Sequence, residues 1–387
     1  MNIMFVGLSG VPYLRRACDN RLMAFAKLFV ELGHHVTILN RCPAAKISDH
    51  KLDINYAGEI TFIENINIDK PNSKIFQLLI FWVSYPLEFF RVLRINKKKS
   101  IDILHLYSGH YFEFLIYKFL SVLIGAKLIY QYVEFRSGVK RNGIYHKVNG
   151  YLCDTYLHKV FDGVISISKY LSSNVKGKAP AIPLVKVPPL CDYDYFESID
   201  TGIRPQKYIL YCGSAGYFEV IRLIVCSYFR SSCVSNDIRL ILVVRGNDNE
   251  MRRVFEYVNN YSGVELQTNI PYTDLVKLYK GSFLCMIPLR NTIQDIARFP
   301  NKIGEYCASG SAFITTNVGE IPEYFTDEIN ALIVNDNTEY EIAKKIDWAI
   351  KNLAKVQEIG KNAYKTGEKY FYTKVYESKM KDFLKEL

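Results

Sequence analysis

The nine cysteines contain no Cys-x-x-Cys pair, and their odd number and unpatterned spacing fit neither a disulfide framework nor a zinc site. Free thiols suit a reducing cytoplasm. No stretch offers the roughly 18 uninterrupted apolar residues that a membrane-spanning helix needs. The nearest, residues 75–93, is broken by Gln77, Pro86, Glu88 and Arg91. The opening MNIMFVGLSG lacks the basic start and extended apolar core of a secretory signal, so export by that route is not expected. The dinucleotide fingerprint G-x-G-x-x-G and the P-loop Lys-Ser/Thr are both missing, which argues against nicotinamide chemistry and ATP hydrolysis. Also absent is an Asp-x-Asp set behind a hydrophobic strand to hold a divalent ion. Asp192-Tyr193-Asp194 matches that short pattern but falls in a Pro-rich passage read as linker, so no metal is expected.

What is present is a globular composition: 49% hydrophobic and 23% charged, with 29 Tyr and 23 Phe. A length of 387 residues exceeds what one core supports, so two domains of similar size are predicted. The net charge of +10 is uneven, because residues 1–200 hold 25 Lys and Arg against 17 Asp and Glu. That bias suits an anionic partner at the N-terminal half or, equally, a solvated basic face. Phe76, Phe81, Trp82, Tyr85, Phe89 and Phe90 run directly into Arg91, Arg94, Lys97, Lys98 and Lys99. Such a segment either lies on an anionic membrane or forms a buried helix with a solvated end. Nucleic acid is not expected, since the basic cluster lacks a recognised module.

Along the chain, NIMFVGL, a loop, the helical NRLMAFAKLFVELG and HHVTILN form the opening βαβ of a doubly wound sheet, with Leu22, Phe25, Ala26 and Phe29 on the helix's apolar face. ITFIENI, DILHLYS, AKLIYQYV and GVISIS continue it as strands. A Pro-rich, strand-poor passage, residues 180–205, reads as the interdomain connection. KYILYCG, RLILVV, VELQTN, FLCMIPL, SAFITT and ALIV then alternate with helices, one of which, YTDLVKLYKG, Thr273 or Asp274 can cap. Two helices are predicted over residues 339–387. The fold class is α/β, with domains at 1–188 and 206–368, a linker at 189–205 and a terminal helix at 369–387.

The most informative segment is RFPNKIGEYCASG, residues 298–310. Pro300 suits a first helical turn and Gly310 a C-terminal cap. Asn301, Lys302 and Glu305 lie between them at helical spacing, offering free N–H groups and a cation at one end and an acceptor a turn further in. That combination suits the phosphates and ribose of a nucleotide sugar. Each half also opens with a strand and a small-residue loop, GLSGVP and CGSAGY, where Gly10, Gly213 and Ser214 would let a backbone approach a diphosphate or simply make a tight turn.

In their order, these segments resemble a GT-B-fold glycosyltransferase, and more narrowly glycosyltransferase family 4. The matching stretches are the opening loop and helix through HHVTIL, then VPPLCDYDYF, YILYCGS, IPYTDLVKLYKGSFLCMIPL and FPNKIGEYCASGSAFITTNVGEIPEYF. The resemblance implies two Rossmann-like domains facing each other across a cleft, with the terminal helix crossing back to the first. It also implies a nucleoside diphosphate sugar as donor, no cofactor, and transfer with retention in which the departing phosphate helps take the acceptor proton. Glu305 matches the second glutamate of the family's Glu-x7-Glu motif, a ribose ligand. Ala297 stands where the first glutamate belongs, leaving Gln294, Asp295 and Arg298 as nearby substitutes. The family's Lys-Gly after the first donor-domain strand is missing as well, so Arg222, Arg245 or Lys302 is expected to meet the diphosphate charge.

In the acceptor domain His105 and His110 flank the end of DILHLYSGHYF, and Glu134 and Arg136 close KLIYQYVEFR. Glu134 and His105 are the candidate catalytic residues, because doubly wound sheets place their chemistry at strand ends. The alternatives are that Glu134 pairs with Arg136 or Arg141 and that His105 is a core residue. The expected protein is a cytoplasmic transferase, peripheral on the inner face of the membrane. It would move a sugar onto a lipid-linked or polysaccharide acceptor in bacterial capsule, O-antigen or exopolysaccharide synthesis. A nucleotide-sugar epimerase of the same fold and a non-catalytic glycan-assembly partner are the alternatives.

Overall fold

The protein was analysed as a computed structural model that describes residues 1–12, 17–43, 59–139, 143–200 and 206–387. Contacts divide it into two units, Met1–Pro188 with Thr373–Leu387, and Pro189–Tyr372.

The first unit is built on seven parallel strands: β1 (Asn2–Leu8), β2 (His35–Asn40), β3 (Ile60–Glu64), β4 (Ile103–Leu106), β5 (Lys127–Tyr132), β6 (Gly163–Ser166) and β7 (Leu184–Lys186). Their order is β3-β2-β1-β4-β5-β6-β7, so the direction of winding reverses between β1 and β4. Helices α1 (Ala17–Glu31), α2 (Lys74–Lys98), α3 (Tyr111–Ile124), α4 (Ile144–Tyr156) and α5 (Lys169–Lys176) make the crossovers. The central strands are largely apolar and buried because helices cover both faces; Ile103, Leu104, His105 and Leu106 of β4 are all buried. Helix α1 buries Leu22, Phe25, Ala26 and Phe29, and Gly33 ends it at φ +79°. Its Arg21 is also buried, and donates to Gln131 Oε1 at 3.0 Å, Pro188 O at 2.6 Å and Val187 O at 2.8 Å, tying the segment after β7 to the core. The chain's last residues return to this unit, where Phe383 and Leu387 pack on Gly163 of β6.

The second unit holds six parallel strands: β8 (Gln206–Ser214), β9 (Arg239–Arg245), β10 (Val264–Gln267), β11 (Ser282–Ile287), β12 (Phe313–Thr316) and β13 (Leu332–Val334). The order is β10-β9-β8-β11-β12-β13, with the reversal between β8 and β11. Its helices are α6 (Tyr193–Ser198), α7 (Phe218–Arg230), α8 (Asp248–Val258), α9 (Tyr272–Gly281), α10 (Ile293–Ala297), α11 (Asn301–Ser309), α12 (Ile321–Tyr324), α13 (Glu339–Lys351) and α14 (Leu353–Tyr370). Helix α15 (Glu377–Glu386) belongs to the first unit. Gly360 of α14 lies so close to Gly310 O that no Cβ would fit, and this contact seats α14 against the end of α11.

Several local expectations are revised. The passage 180–205 is not strand-poor throughout: it contains β7, and α6 folds onto α11 within the second unit. Asp192 caps α6 by accepting from Tyr195 N at 3.1 Å, a structural use of the Asp-Tyr-Asp triplet. Residues 201–205 of that passage lie outside the described residues. Helix α9 starts after Pro271, one residue ahead of Thr273, and neither Thr273 nor Asp274 is its N-cap. Three helices rather than two end the chain, since α13 stops at Lys351 and Phe371 closes α14.

Candidate functional site

In the first unit the β1–β4 reversal opens a cleft of about 260 Å³ above the carboxyl ends of these strands. Gly7 belongs to its wall at φ +77°, and a Cβ there would lie 2.8 Å from Leu106 Cδ1. The loop that follows β1 is pinned to β2 by Asn40, which accepts from Val11 N at 3.0 Å and donates to Val11 O at 2.7 Å. Gly10, at φ +72°, sits in this loop as the turn residue and does not line the cleft.

A buried polar network forms the cleft's side. Arg41 pairs with Glu113 at 2.9 Å and stacks 4.2 Å from the centre of the Tyr85 ring. Glu113 also accepts hydrogen bonds from Tyr85 and Ser108, and Tyr117 donates to Glu88 at 2.7 Å. Burial pushes the Glu88 carboxyl up to about 7, against the opposing charge of Arg41 and the Tyr117 hydrogen bond. A sequence reading could not single out Glu88, because it appears only as an interruption in an apolar run.

Glu134 and Arg136 follow β5 and form an ion pair at 2.9 Å. Buried Asp154 of α4 fixes their loop, accepting from Arg136 N at 3.1 Å and Ser137 N at 2.6 Å. Gly150 lets α4 approach, since a Cβ would stand 3.0 Å from the Arg136 carbonyl. The Arg136 guanidinium fills the space that a Cβ at Gly109 would need, and reaches the cleft. Glu134 is not part of the cleft lining, and its described ion-pair partner is Arg136; Arg141, its other candidate partner, lies outside the described residues. His105 is removed from the candidate site: it is fully buried among Phe5, Phe25 and Phe29, with ring centres 4.3, 6.0 and 5.9 Å away. Neither ring nitrogen has a hydrogen-bond partner, and burial, reinforced by Arg21, depresses its pKa to about 3. It is a neutral core ring. His110 instead lines the cleft, with Nδ1 3.0 Å from the Tyr145 hydroxyl.

In the second unit, the β8–β11 reversal gathers two arginines that the sequence pattern did not pair. Asp295 is fully buried; Arg290 Nε reaches its Oδ2 at 2.8 Å and Arg298 Nη2 its Oδ1 at 2.8 Å. Burial alone would raise the Asp295 carboxyl, but the Arg290 hydrogen bonds and the Arg298 charge hold it below the usual carboxylate range. Both guanidiniums lie over the Tyr217 ring, at 5.2 and 4.5 Å, and Arg298 also donates to the Tyr217 hydroxyl. Tyr217 closes the turn after β8, where Ser214 accepts from Gly216 N at 3.2 Å. At Gly319, φ +62°, an added Cβ would lie only 2.8 Å from Ile296 O, so the lack of a side chain lets the segment after β12 pack against α10. Two cations on one carboxylate leave a net positive charge at a strand-end reversal, the position where doubly wound sheets take anionic ligands.

Glu305 and Lys302 come together as the spacing predicted, but they face each other. Lys302 Nζ lies 2.7 Å from Glu305 Oε2, which also accepts from Tyr279 at 2.9 Å, while Tyr272 donates to Oε1 at 3.3 Å. Glu305 is 3% exposed. Burial works against the charge on Lys302, yet Cys212 and Glu305 hold its pKa above the ordinary value. In this geometry Glu305 ties α9 to α11. Asn301 begins α11 and Gly310 ends it in the left-handed conformation at φ 72°.

The remaining candidates separate. Ala297 is buried and offers only backbone. At Gly213 a Cβ would collide with the Tyr211 hydroxyl, so this glycine serves strand packing. Arg245 ends β9, exposed, and donates to Ile270 O at 3.2 Å. Arg222 pairs with Glu219 on the surface of α7. Among the described residues no group of three or more His, Cys, Asp or Glu is placed to hold a metal.

The outer surface of the first unit has inverted polarity. Helix α2 buries Ser84, Tyr85, Glu88 and Val92 and exposes Ile75, Phe76, Leu78, Leu79, Trp82 and Phe90, with Trp82 58% exposed. By length and composition it is long and apolar enough to cross a membrane, although 22% of its apolar window is buried against the protein. Helix α3 continues the face with Leu115, Phe119, Val122 and Leu123, and Phe89 stacks on Phe119 at 6.1 Å.

Residues 206–366, wholly inside the second unit, match the family described as Glycosyl transferases group 1. No curated protein sequence matches the chain. Among solved structures, Anabaena HepE in complex with UDP and glucose is 13% identical over all of both chains, with a TM-score of 0.74. Sucrose-phosphate synthase from Thermosynechococcus elongatus is 15% identical over 100% of this chain and 98% of that one, with a TM-score of 0.78. WaaG, a glycosyltransferase involved in lipopolysaccharide biosynthesis, is 13% identical over 98% and 99%, with a TM-score of 0.62. The fold is therefore GT-B.

Proposed function

We propose that this chain, which has the GT-B fold and whose residues 206–366 match the family described as Glycosyl transferases group 1, is a glycosyltransferase that moves a sugar from a nucleoside diphosphate sugar, with retention, to an acceptor in bacterial surface-glycan synthesis. The observation that carries the donor class is the Arg290–Asp295–Arg298 cluster at the β8–β11 reversal, inside the matched domain. Two guanidiniums held on one buried carboxylate are preorganised to receive the charge that develops on a departing diphosphate. The bond from the anomeric carbon to the diphosphate oxygen breaks, the acceptor oxygen bonds to that carbon, and the acceptor proton leaves with the diphosphate. HepE, crystallised with UDP and glucose, supports the same donor chemistry, and WaaG's part in lipopolysaccharide synthesis supports the pathway class. No metal or cofactor is needed in this reading, because protein cations meet the diphosphate. Thermal-shift measurement against UDP-, GDP-, ADP- and dTDP-sugars tests it: one base is expected to raise Tm, and no response to any of the four would refute it.

The same reading places the protein at the cytoplasmic face of a membrane. The outward apolar side of α2 ends in Lys97 and Lys98 and is followed by Lys99, a combination suited to an anionic lipid surface. Each surface lysine contributes about 1 kcal/mol to such binding. Replacing all three by Gln is expected to weaken sedimentation with phosphatidylglycerol vesicles by on the order of 100-fold, and unchanged sedimentation would remove the membrane from the account.

A further inference from the structure

We propose that the cleft of the first unit binds a neutral sugar carried on a lipid, the sugar ring inside and the hydrocarbon chain along the outer face of α2 and α3. This rests on the glycosyltransferase reading and narrows its acceptor to a glycolipid.

Charge comes first. Among the described residues lining the cleft, Arg41 is matched by Glu113 at 2.9 Å, and Arg136 is matched by Glu134, just outside the lining, also at 2.9 Å. Asp19 lines the cleft as well. Against these described residues an anionic head would meet carboxylates without a surplus of positive charge, whereas a polyol can donate to them and accept from the guanidiniums. Phe81 and Tyr107 supply aromatic wall beside these ions. About 260 Å³ falls just below the range of pockets that take drug-sized molecules, which suits one sugar ring better than an oligosaccharide.

Continuity supplies the lipid. Phe81 lines the cleft and touches Trp82 with ring centres 5.4 Å apart; Trp82 in turn lies 6.3 Å from Phe112 of α3 and is largely exposed. An apolar path therefore leads from the cleft directly onto the outer face. The network that walls the cleft also sets this orientation. Tyr85 donates to Glu113 and Tyr117 to Glu88, so the polar side of α2 is consumed inside and its apolar side is turned out. In an ordinary surface helix the apolar stripe faces the core.

The test is calorimetry on the full chain with n-octyl glycosides of glucose, galactose, mannose and N-acetylglucosamine, their methyl counterparts, and octyl phosphate. At least one octyl glycoside is expected to bind tenfold tighter than both its methyl glycoside and octyl phosphate. Arg136→Gln should weaken that octyl glycoside and its methyl glycoside alike. The exposed Trp82→Ser should weaken only the octyl compound. Octyl phosphate binding tighter than every glycoside, equal affinity for methyl and octyl glycosides, or no glycoside binding would each overturn the proposal. A UDP-induced Tm shift on the same samples reads the second unit separately: a shift without glycoside binding sinks only the glycolipid inference, and its absence counts against the donor reading.

Discussion

The two units use the same sheet plan and put different electrostatics at the point where the winding reverses. In the first unit, the two described arginines that line the cleft at the β1–β4 reversal are each matched by a carboxylate, Arg41 by Glu113 and Arg136 by Glu134. In the second, Arg290 and Arg298 share the single carboxylate of Asp295. Since fold position is the same, the difference lies in a few side chains: a balanced site suits an uncharged acceptor, and a site with one cation in surplus suits an anionic donor.

The sharpest way to break this comparison concerns Glu305. If it is a strut, Glu305→Ala leaves Lys302 buried without its charge partner and should cost roughly 3–5 kcal/mol of stability, read as a large fall in Tm. The double change Glu305→Ala with Lys302→Met should recover much of that loss. Intact stability with lost nucleotide affinity would make Glu305 a ligand for ribose instead, and restore the sequence expectation.

A smaller effect comes from Glu88. Its folded-state pKa of about 7 stands above the ordinary 4.5, so between these values the folded chain holds a proton that the unfolded chain releases. The stability from this group is fully present below pH 4.5 and is lost as pH rises through 7, on the order of 3 kcal/mol in all. Glu88→Gln should flatten the Tm profile between pH 5 and 7.5. A profile that keeps its slope would show that Glu88 is already ionised in the network.

The smallest expected effect is at His105. As a neutral ring among three phenylalanines, it should accept His105→Phe with a stability change within about 1.5 kcal/mol at pH 7 and no change in donor binding. The wild-type histidine, with a folded pKa of about 3 against an ordinary 6.5, costs stability as pH falls below 6.5, and the variant should lose that sensitivity. Loss of transfer at unchanged stability would return His105 to the site.

The succession of strands in two α/β units was legible because parallel strands covered on both faces read as apolar runs and because Gly33 and Gly310 mark helix ends. β7 was missed since three residues between prolines carry too little periodicity. Site chemistry was less legible for a different reason: partners are set by the tertiary fold. Glu305 meets Tyr272 and Tyr279 from α9, and Arg298 meets Tyr217 from the turn after β8, far away in the chain. Every residue of β4 is buried, so its strand-end position did not distinguish His105 as core from His105 as catalyst. Arg290 lay in a loop with no motif to mark it.

The central claim is that the second unit's surplus cation receives the donor's diphosphate. Calorimetry of UDP binding to the wild type, to Arg290→Gln, to Arg298→Gln and to the surface control Arg222→Gln tests it directly. A charge-assisted hydrogen bond of about 1.5–3 kcal/mol sets the scale, so Arg290→Gln and Arg298→Gln should each raise Kd by roughly 10- to 100-fold, with Arg222→Gln unchanged. Wild-type affinity in both Arg290→Gln and Arg298→Gln would contradict the account.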